Sequence, residues 1–282
     1  MGGGGNELGG DFGALDDGMR LLKRAQTLVP MFFKRNMAAV KVLAALTFVA
    51  LLVEVLFLGL IMIMSIAELY SLLSLTPFLG GALGFVLVLT LQVMGAAALR
   101  AGRLNMFEAP GTASTLGGAF GAMTPGLVGA AVGTIALFLG GSLAVCCVLP
   151  GLIAYAVLCW APWLMAARGE PIGDGFSTSI ELGQKYWAAG AGLVVAQAIF
   201  FGVIYSLIGS FGGTTVGVIA SRAVMGAIAD PTGMIIASTL VTSIFVAFKW
   251  VCFAVALIAM YAATGGVMSA MEEEYFGEVI AV

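Results

Sequence analysis

The sequence has no histidine, and of its 282 residues only 10% are charged. The first absence removes the commonest general base and the commonest metal ligand. The second excludes an ordinary water-soluble domain, where about a quarter of residues are charged. With 61% hydrophobic residues and a mean hydropathy of +1.10, a fold of this size lacks the charge to cover itself in water, so lipid must solvate much of its surface. The four cysteines, Cys146, Cys147, Cys159 and Cys252, all lie in apolar runs with no C-x-x-C pair. They read as small packing residues rather than a disulfide framework or metal site. H-E-x-x-H, paired catalytic aspartates and glycine-rich nucleotide motifs are also missing, so no cofactor and no enzymatic chemistry are expected.

What is present is a series of long apolar runs. A hydrocarbon core of about 30 Å takes about 20 helical residues. Six candidates follow: residues 37–65, 76–99, 126–149, 152–167, 187–211 and 233–263. Open strands cannot satisfy their backbone in lipid, and no barrel-like alternation is seen. The expected fold is all-α: a polytopic transmembrane helix bundle of about six spans, with an N-terminal amphipathic interfacial helix. Pro150-Gly151 predicts a tight turn between the third and fourth spans, and Pro162 a helix break.

Residues 1–13 are glycine-rich and read as a flexible tail. Over residues 14–36, Leu15, Met19, Leu22, Ala25, Leu28 and Val29 recur at helical steps, with Arg20, Lys23 and Arg24 between them. This amphipathic helix suits either an anionic leaflet or the protein's own cytoplasmic loops, and Pro30 is expected to kink or end it. Residues 108–125 read as a loop or a re-entrant segment, and residues 264–282 as an acidic tail.

Basic residues set the orientation. Ten of them fall in the N-terminal segment and the second and fourth connections, against only Arg222 on the other side. The positive-inside rule then places both termini in the cytoplasm. The acidic tail (Glu272, Glu273, Glu274, Glu278) weighs little in that rule.

Charges inside a span are costly and therefore informative, at about 2.5–3.5 kcal/mol on insertion scales. Glu54 lies thirteen residues past Lys41, and Lys249 fifteen past Met234, both near mid-depth on helices of opposite direction. They are expected to pair, and Gln92 and Gln197 are candidates to extend the pair into a polar layer. Such a layer serves either to fix helix order or to respond to protons or ions. Small-xxx-small patterns at Gly80/Gly84, Gly129/Gly133 and Gly209/Gly213/Gly217 permit close helix approach, within the chain or between copies.

The stretch from Pro150 to Tyr261 has a further pattern. Pro150-Gly151 opens an apolar helix with Pro162, then comes Arg168-Gly169-Glu170-Pro171-Ile172. An amphipathic Phe176–Gly183, Trp187, another apolar run and a last helix ending at Tyr261 follow. This resembles the YciC-like group of bacterial inner-membrane proteins, and the membrane domain fused to some glycerophosphodiester phosphodiesterases. The resemblance implies six helices in a bacterial cytoplasmic membrane. It brings no catalytic residues, and without an attached phosphodiesterase domain no lipase activity is expected. The partners expected are membrane lipids and another membrane protein or a second copy, not nucleic acid. An accessory, scaffold or envelope-maintenance role is the first expectation. A small transporter or channel built on Glu54 and Lys249 is the alternative.

Overall fold

The structure is a computed structural model that describes residues 7–67, 69, 72, 74–146, 148–197, 199–201 and 231–281. Every regular element among the described residues is helical. They are α1 (Glu7–Arg35), α2 (Met37–Ile66), α3 (Thr76–Arg103), α4 (Leu116–Met123), α5 (Leu127–Cys146), α6 (Val148–Leu158), α7 (Ile172–Lys185), α8 (Trp187–Gln197) and α9 (Pro231–Glu274). Short π-helical turns follow α3 at Leu104–Glu108 and precede α7 at Leu164–Arg168. The all-α membrane bundle read from composition is therefore the fold.

Four helical stretches are long and apolar enough to cross a membrane: Met37–Ile66, Thr76–Glu108, Leu116–Gly140 and Thr232–Glu274. Two shorter apolar helices, Ile153–Arg168 and Trp187–Phe201, stand where the fourth and fifth spans are expected. The outward stripes are those of a lipid-solvated protein. On α2, Phe48, Leu52, Leu56, Leu60 and Ile63 recur every three or four residues and all are exposed, Leu56 to 73%. Leu240, Ile244, Phe248, Val251 and Val255 repeat the pattern on α9. The chain is an integral membrane protein.

The chain divides into two compact units. The first comprises Met1–Leu43, Gln92–Ala198 and Leu257–Val282, and the second Ala44–Leu91 and Ile199–Ala256. In the first unit α5 and α6 form an antiparallel hairpin. A Cβ at Gly140 would lie 3.0 Å from the Leu158 side chain, one at Gly133 2.5 Å from the Pro162 Cα, and one at Gly129 2.4 Å from the Met165 carbonyl oxygen. Glycine is required at the last two because backbone, not a flexible side chain, fills the space. Gly129/Gly133 thus serves contact within the chain. Gly84 faces open space, and Gly209, Gly213 and Gly217 lie outside the described residues.

Several boundaries differ from those expected. Helix α1 starts at Glu7, so residues 7–13 are helical rather than tail. It runs through Pro30 to Arg35. Its apolar face is spent on the protein: Leu21, Ala25, Leu28 and Phe32 are buried. The Phe32 ring occupies the room that side chains on Gly102 and Gly265 would take, and it meets the Tyr261 ring at 5.2 Å. Pro150 and Gly151 lie within α6 rather than in a turn, because Pro150 is its third residue, where the missing N–H costs no hydrogen bond. The break associated with Pro162 falls just before it, at Cys159–Trp160.

Within residues 108–125 the loop occupies only 109–115. A turn leads into α4, whose N-cap Thr115 accepts from the Gly118 N–H at 3.1 Å, and the helical stretch continues to Gly140. The largest correction concerns the C-terminus. Helix α9 runs 44 residues, about 66 Å, so residues 264–274 are helix and not tail. Val267, Met268, Ala270, Met271 and Glu272 are buried. The end of the fifth expected span and the connection after it fall outside the described residues.

Candidate functional site

The second unit holds the intramembrane ion pair. The Lys249 Nζ donates to both oxygens of Glu54, at 2.5 and 2.6 Å. The indole N–H of the buried Trp250 donates to the same carboxylate at 2.5 Å. Glu54 is thus held by three hydrogen bonds from two donor groups, and the Lys249 ammonium lies 5.2 Å from the Trp250 ring centroid. Each side chain of the pair retains 19% exposure. Phe253 packs edge-on to Trp250 at 5.4 Å and meets Phe201 at the same distance. A carboxylate in lipid needs both an opposite charge and satisfied lone pairs, and this one has both.

Of the four residues read as a polar layer, Glu54 and Lys249 are in contact. Gln92 and Gln197 belong to the first unit. There the Tyr155 hydroxyl donates to the Gln197 side-chain oxygen. Gln92 is half-buried with no hydrogen-bond partner among the described residues. Thr239, Thr242 and Ser243 each donate to the carbonyl four residues earlier on their own helix, as hydroxyls in apolar helices do.

The first unit contains a larger polar assembly that sequence reasoning missed. Glu272, with 1% of its side chain exposed, accepts from Arg103 Nε at 2.7 Å and from Arg168 at 2.5 Å. Arg103 comes from the end of α3 and Arg168 from the turn before α7. Arg103 also pairs with Glu108 and reaches Glu278 at 3.5 Å. Arg168 also contacts Glu170 at 3.2 Å, and its guanidinium lies 3.6 Å from the Phe276 ring centroid. Trp163 packs edge-on to Phe276.

The next two acids turn to α1. Glu273 takes Arg24 in a two-pronged bond of 2.8 and 3.0 Å, and Glu274 accepts from Arg20. The chain turns at Gly277 (φ 70°) and laces back. The Glu278 N–H donates to the Glu272 carbonyl at 2.9 Å, and the Ala281 N–H to the Met106 carbonyl at 2.8 Å. Arg35 caps the Ala281 carbonyl at 2.6 Å. Nearby, Asn105 donates to Asn36 at 2.9 Å and accepts from the Ala113 N–H, which fixes the turn after α3. Tyr275 donates its hydroxyl to Glu181 at 2.7 Å. That bond to a carboxylate, with partial burial, raises its pKa to about 12.

Five arginines from three separate segments therefore converge on the last eleven residues. Two signals in the sequence point there: a stretch from Gly233 to Met271 whose only charge is Lys249, and four acids on the same side as ten basic residues. A small recess beside Glu272, lined by Phe32, Arg103, Trp163 and Ser269 among others, has room for about one water. Among the described residues no group of three or more His, Cys, Asp or Glu is placed to hold a metal ion.

No family model matches the chain, and no curated protein or solved structure is significantly similar to it.

Proposed function

We propose that this chain is a non-enzymatic scaffold or accessory protein of a bacterial cytoplasmic membrane, acting through lipids and through contact with another membrane protein or a second copy. The observation that carries this reading is the mutual satisfaction of Glu54 and Lys249. An ion pair that already has an indole donor and two close N–H···O contacts fixes helix order without any ligand. The long exposed apolar stripes of α2 and α9 supply the surface for lipid or a membrane partner. Both termini lie on the cytoplasmic side. Support comes from the bonds that join α1, the C-terminal segment and the connections carrying Arg103 and Arg168, which together hold most of the basic residues. The order of an apolar helix, an amphipathic helix at Ile172–Lys185 and a further apolar helix keeps the YciC-like resemblance within this proposal.

Native mass spectrometry of the protein extracted gently from its own membrane tests the proposal. A second polypeptide, a second copy or retained lipid at fixed stoichiometry supports it. A bare monomer overturns it and leaves the second reading, a small transporter or channel. That reading is favoured by the partial exposure of Glu54 and Lys249. It requires a pH-dependent flux that Glu54→Gln and Lys249→Met each abolish in folded protein.

A further inference from the structure

We propose that the C-terminal segment from Glu273 to Ala281 is an intramolecular competitor for acidic phospholipid headgroups, covering Arg20, Arg24 and Arg35 on one flank of α1 until an anionic leaflet displaces it. The inference rests on the lipid-directed reading above and deepens it.

The three arginines lie on one stripe of α1. At 100° per residue, Arg20, Arg24 and Arg35 fall within about 60° of one another. The neighbouring outward ridge carries Lys23 and Lys34, both exposed and forming no ion pair among the described residues. Together these five cations make the basic face of an amphipathic helix whose apolar face is already packed on the protein. One part of that face is neutralised from within the chain: Glu274 on Arg20, Glu273 on Arg24, and the Ala281 carbonyl on Arg35. A carboxylate taking two guanidinium N–H groups from Arg24 has the geometry of a phosphate doing the same.

The location suits lipid phosphates. Helix α1 leads into the α2 span through the single residue Asn36, whose N–H and carbonyl both continue the helical bonding. Arg35 and Lys34 therefore stand at the mouth of a span, at headgroup depth.

The covering contacts differ in strength along the segment. Glu272 is buried and doubly paired, so α9 stays anchored. Beyond it, Arg20 and Arg24 are 63% and 51% exposed, and ion pairs so open to water are worth little and weaken with salt. Past the helix end, Gly277 and Val279 are exposed. The last residues are tethered by the Glu278 and Ala281 backbone bonds, by Arg35 and by the 3.5 Å contact of Arg103 with Glu278. A leaflet offering many phosphates competes with the weak contacts and leaves the strong one. By linkage, whatever lipid gains from the arginines it takes from the segment.

The test is hydrogen exchange of the peptide covering residues 275–281. The full chain is placed in nanodiscs of phosphatidylcholine, with or without phosphatidylglycerol, at equal ionic strength. Phosphatidylglycerol is expected to speed exchange of the Glu278 and Ala281 amides by about 5- to 150-fold, the usual span of coupling between sites. The double change Glu273→Gln, Glu274→Gln, which keeps Glu272, should speed exchange in phosphatidylcholine alone and raise the number of phosphatidylglycerol molecules retained in native mass spectra. Equal exchange in both lipids overturns the proposal, as does a double variant that retains no more acidic lipid than the parent. Equal acceleration by inorganic phosphate in phosphatidylcholine discs also overturns it, since the competitor is then a soluble anion. Failure here leaves the scaffold reading standing, because that reading is decided by what co-purifies.

Discussion

Replacing Glu272 is the sharpest perturbation the fold offers. Its carboxylate is 1% exposed and bridges guanidiniums at 2.7 and 2.5 Å from two otherwise separate segments. Glu272→Ala leaves both cations facing an apolar gap lined by Phe32, Leu99 and Trp163. Removing one partner of a buried pair costs about 3–5 kcal/mol. Arg103 keeps Glu108 and Glu278, and Arg168 keeps Glu170 and the Phe276 ring, so the expected cost is near the lower end, about 3 kcal/mol. Glu272→Gln keeps the shape and one acceptor oxygen but loses the charge-assisted part of two hydrogen bonds, about 1–2 kcal/mol. Unfolding would be followed by denaturant titration in bicelles, with near-ultraviolet circular dichroism of the buried Trp160 and Trp163 as the readout. A cycle with Arg103→Met should show coupling of about 1–3 kcal/mol. A Glu272→Gln protein as stable as the parent, or strictly additive single changes, would refute the keystone role.

The Glu54–Lys249 pair should give a similar cycle: each of Glu54→Gln and Lys249→Met destabilises by roughly 2–4 kcal/mol, and the double variant recovers most of the loss, as thermal unfolding in nanodiscs will report. Gly129→Ala brings a Cβ to 2.4 Å from the Met165 carbonyl and should cost about 1–3 kcal/mol. Gly84→Ala, with no atom within 4 Å, should be neutral or gain up to about 1 kcal/mol; equal effects at the two positions would contradict the packing described. The raised Tyr275 group, at about 12 against its ordinary 10, makes stability that is fully present below pH 10 and lost as pH rises through 12. In Glu181→Gln, tyrosinate absorbance during alkaline titration should show one tyrosine fewer among the late-ionising group than in the parent, because Tyr275 loses its carboxylate partner.

Much of the architecture is local chemistry and so was readable. Apolar runs of sufficient length must be helices in lipid, and the runs beginning at Met37 and Thr76 match helix starts to the residue. The matching depths of Glu54 and Lys249 on helices of opposite direction follow from rise per residue alone, and the two side chains meet. The amphipathic character of α1 is likewise visible in its spacing, but its buried face is not: of the stripe read from the sequence Ala25 and Leu28 are buried, Leu15 and Met19 are exposed, and Leu21 and Phe32 complete the packed face instead.

What periodicity cannot carry is long-range pairing. Gln197 looks like a companion to the ion pair until Tyr155 is seen beside it. Residues 264–274 look like the start of a polar tail because the acids that follow are counted as solvent-facing. Their arginine partners lie 104 to 254 positions away in the chain, and no window of sequence joins them. Composition and hydropathy by themselves determined the solvent of this protein, the helices that follow from it and the two charges buried among them. Only the tertiary structure decided which cation each acid meets, because desolvating a carboxylate such as Glu272 is tolerable only once two distant guanidiniums have been brought to it.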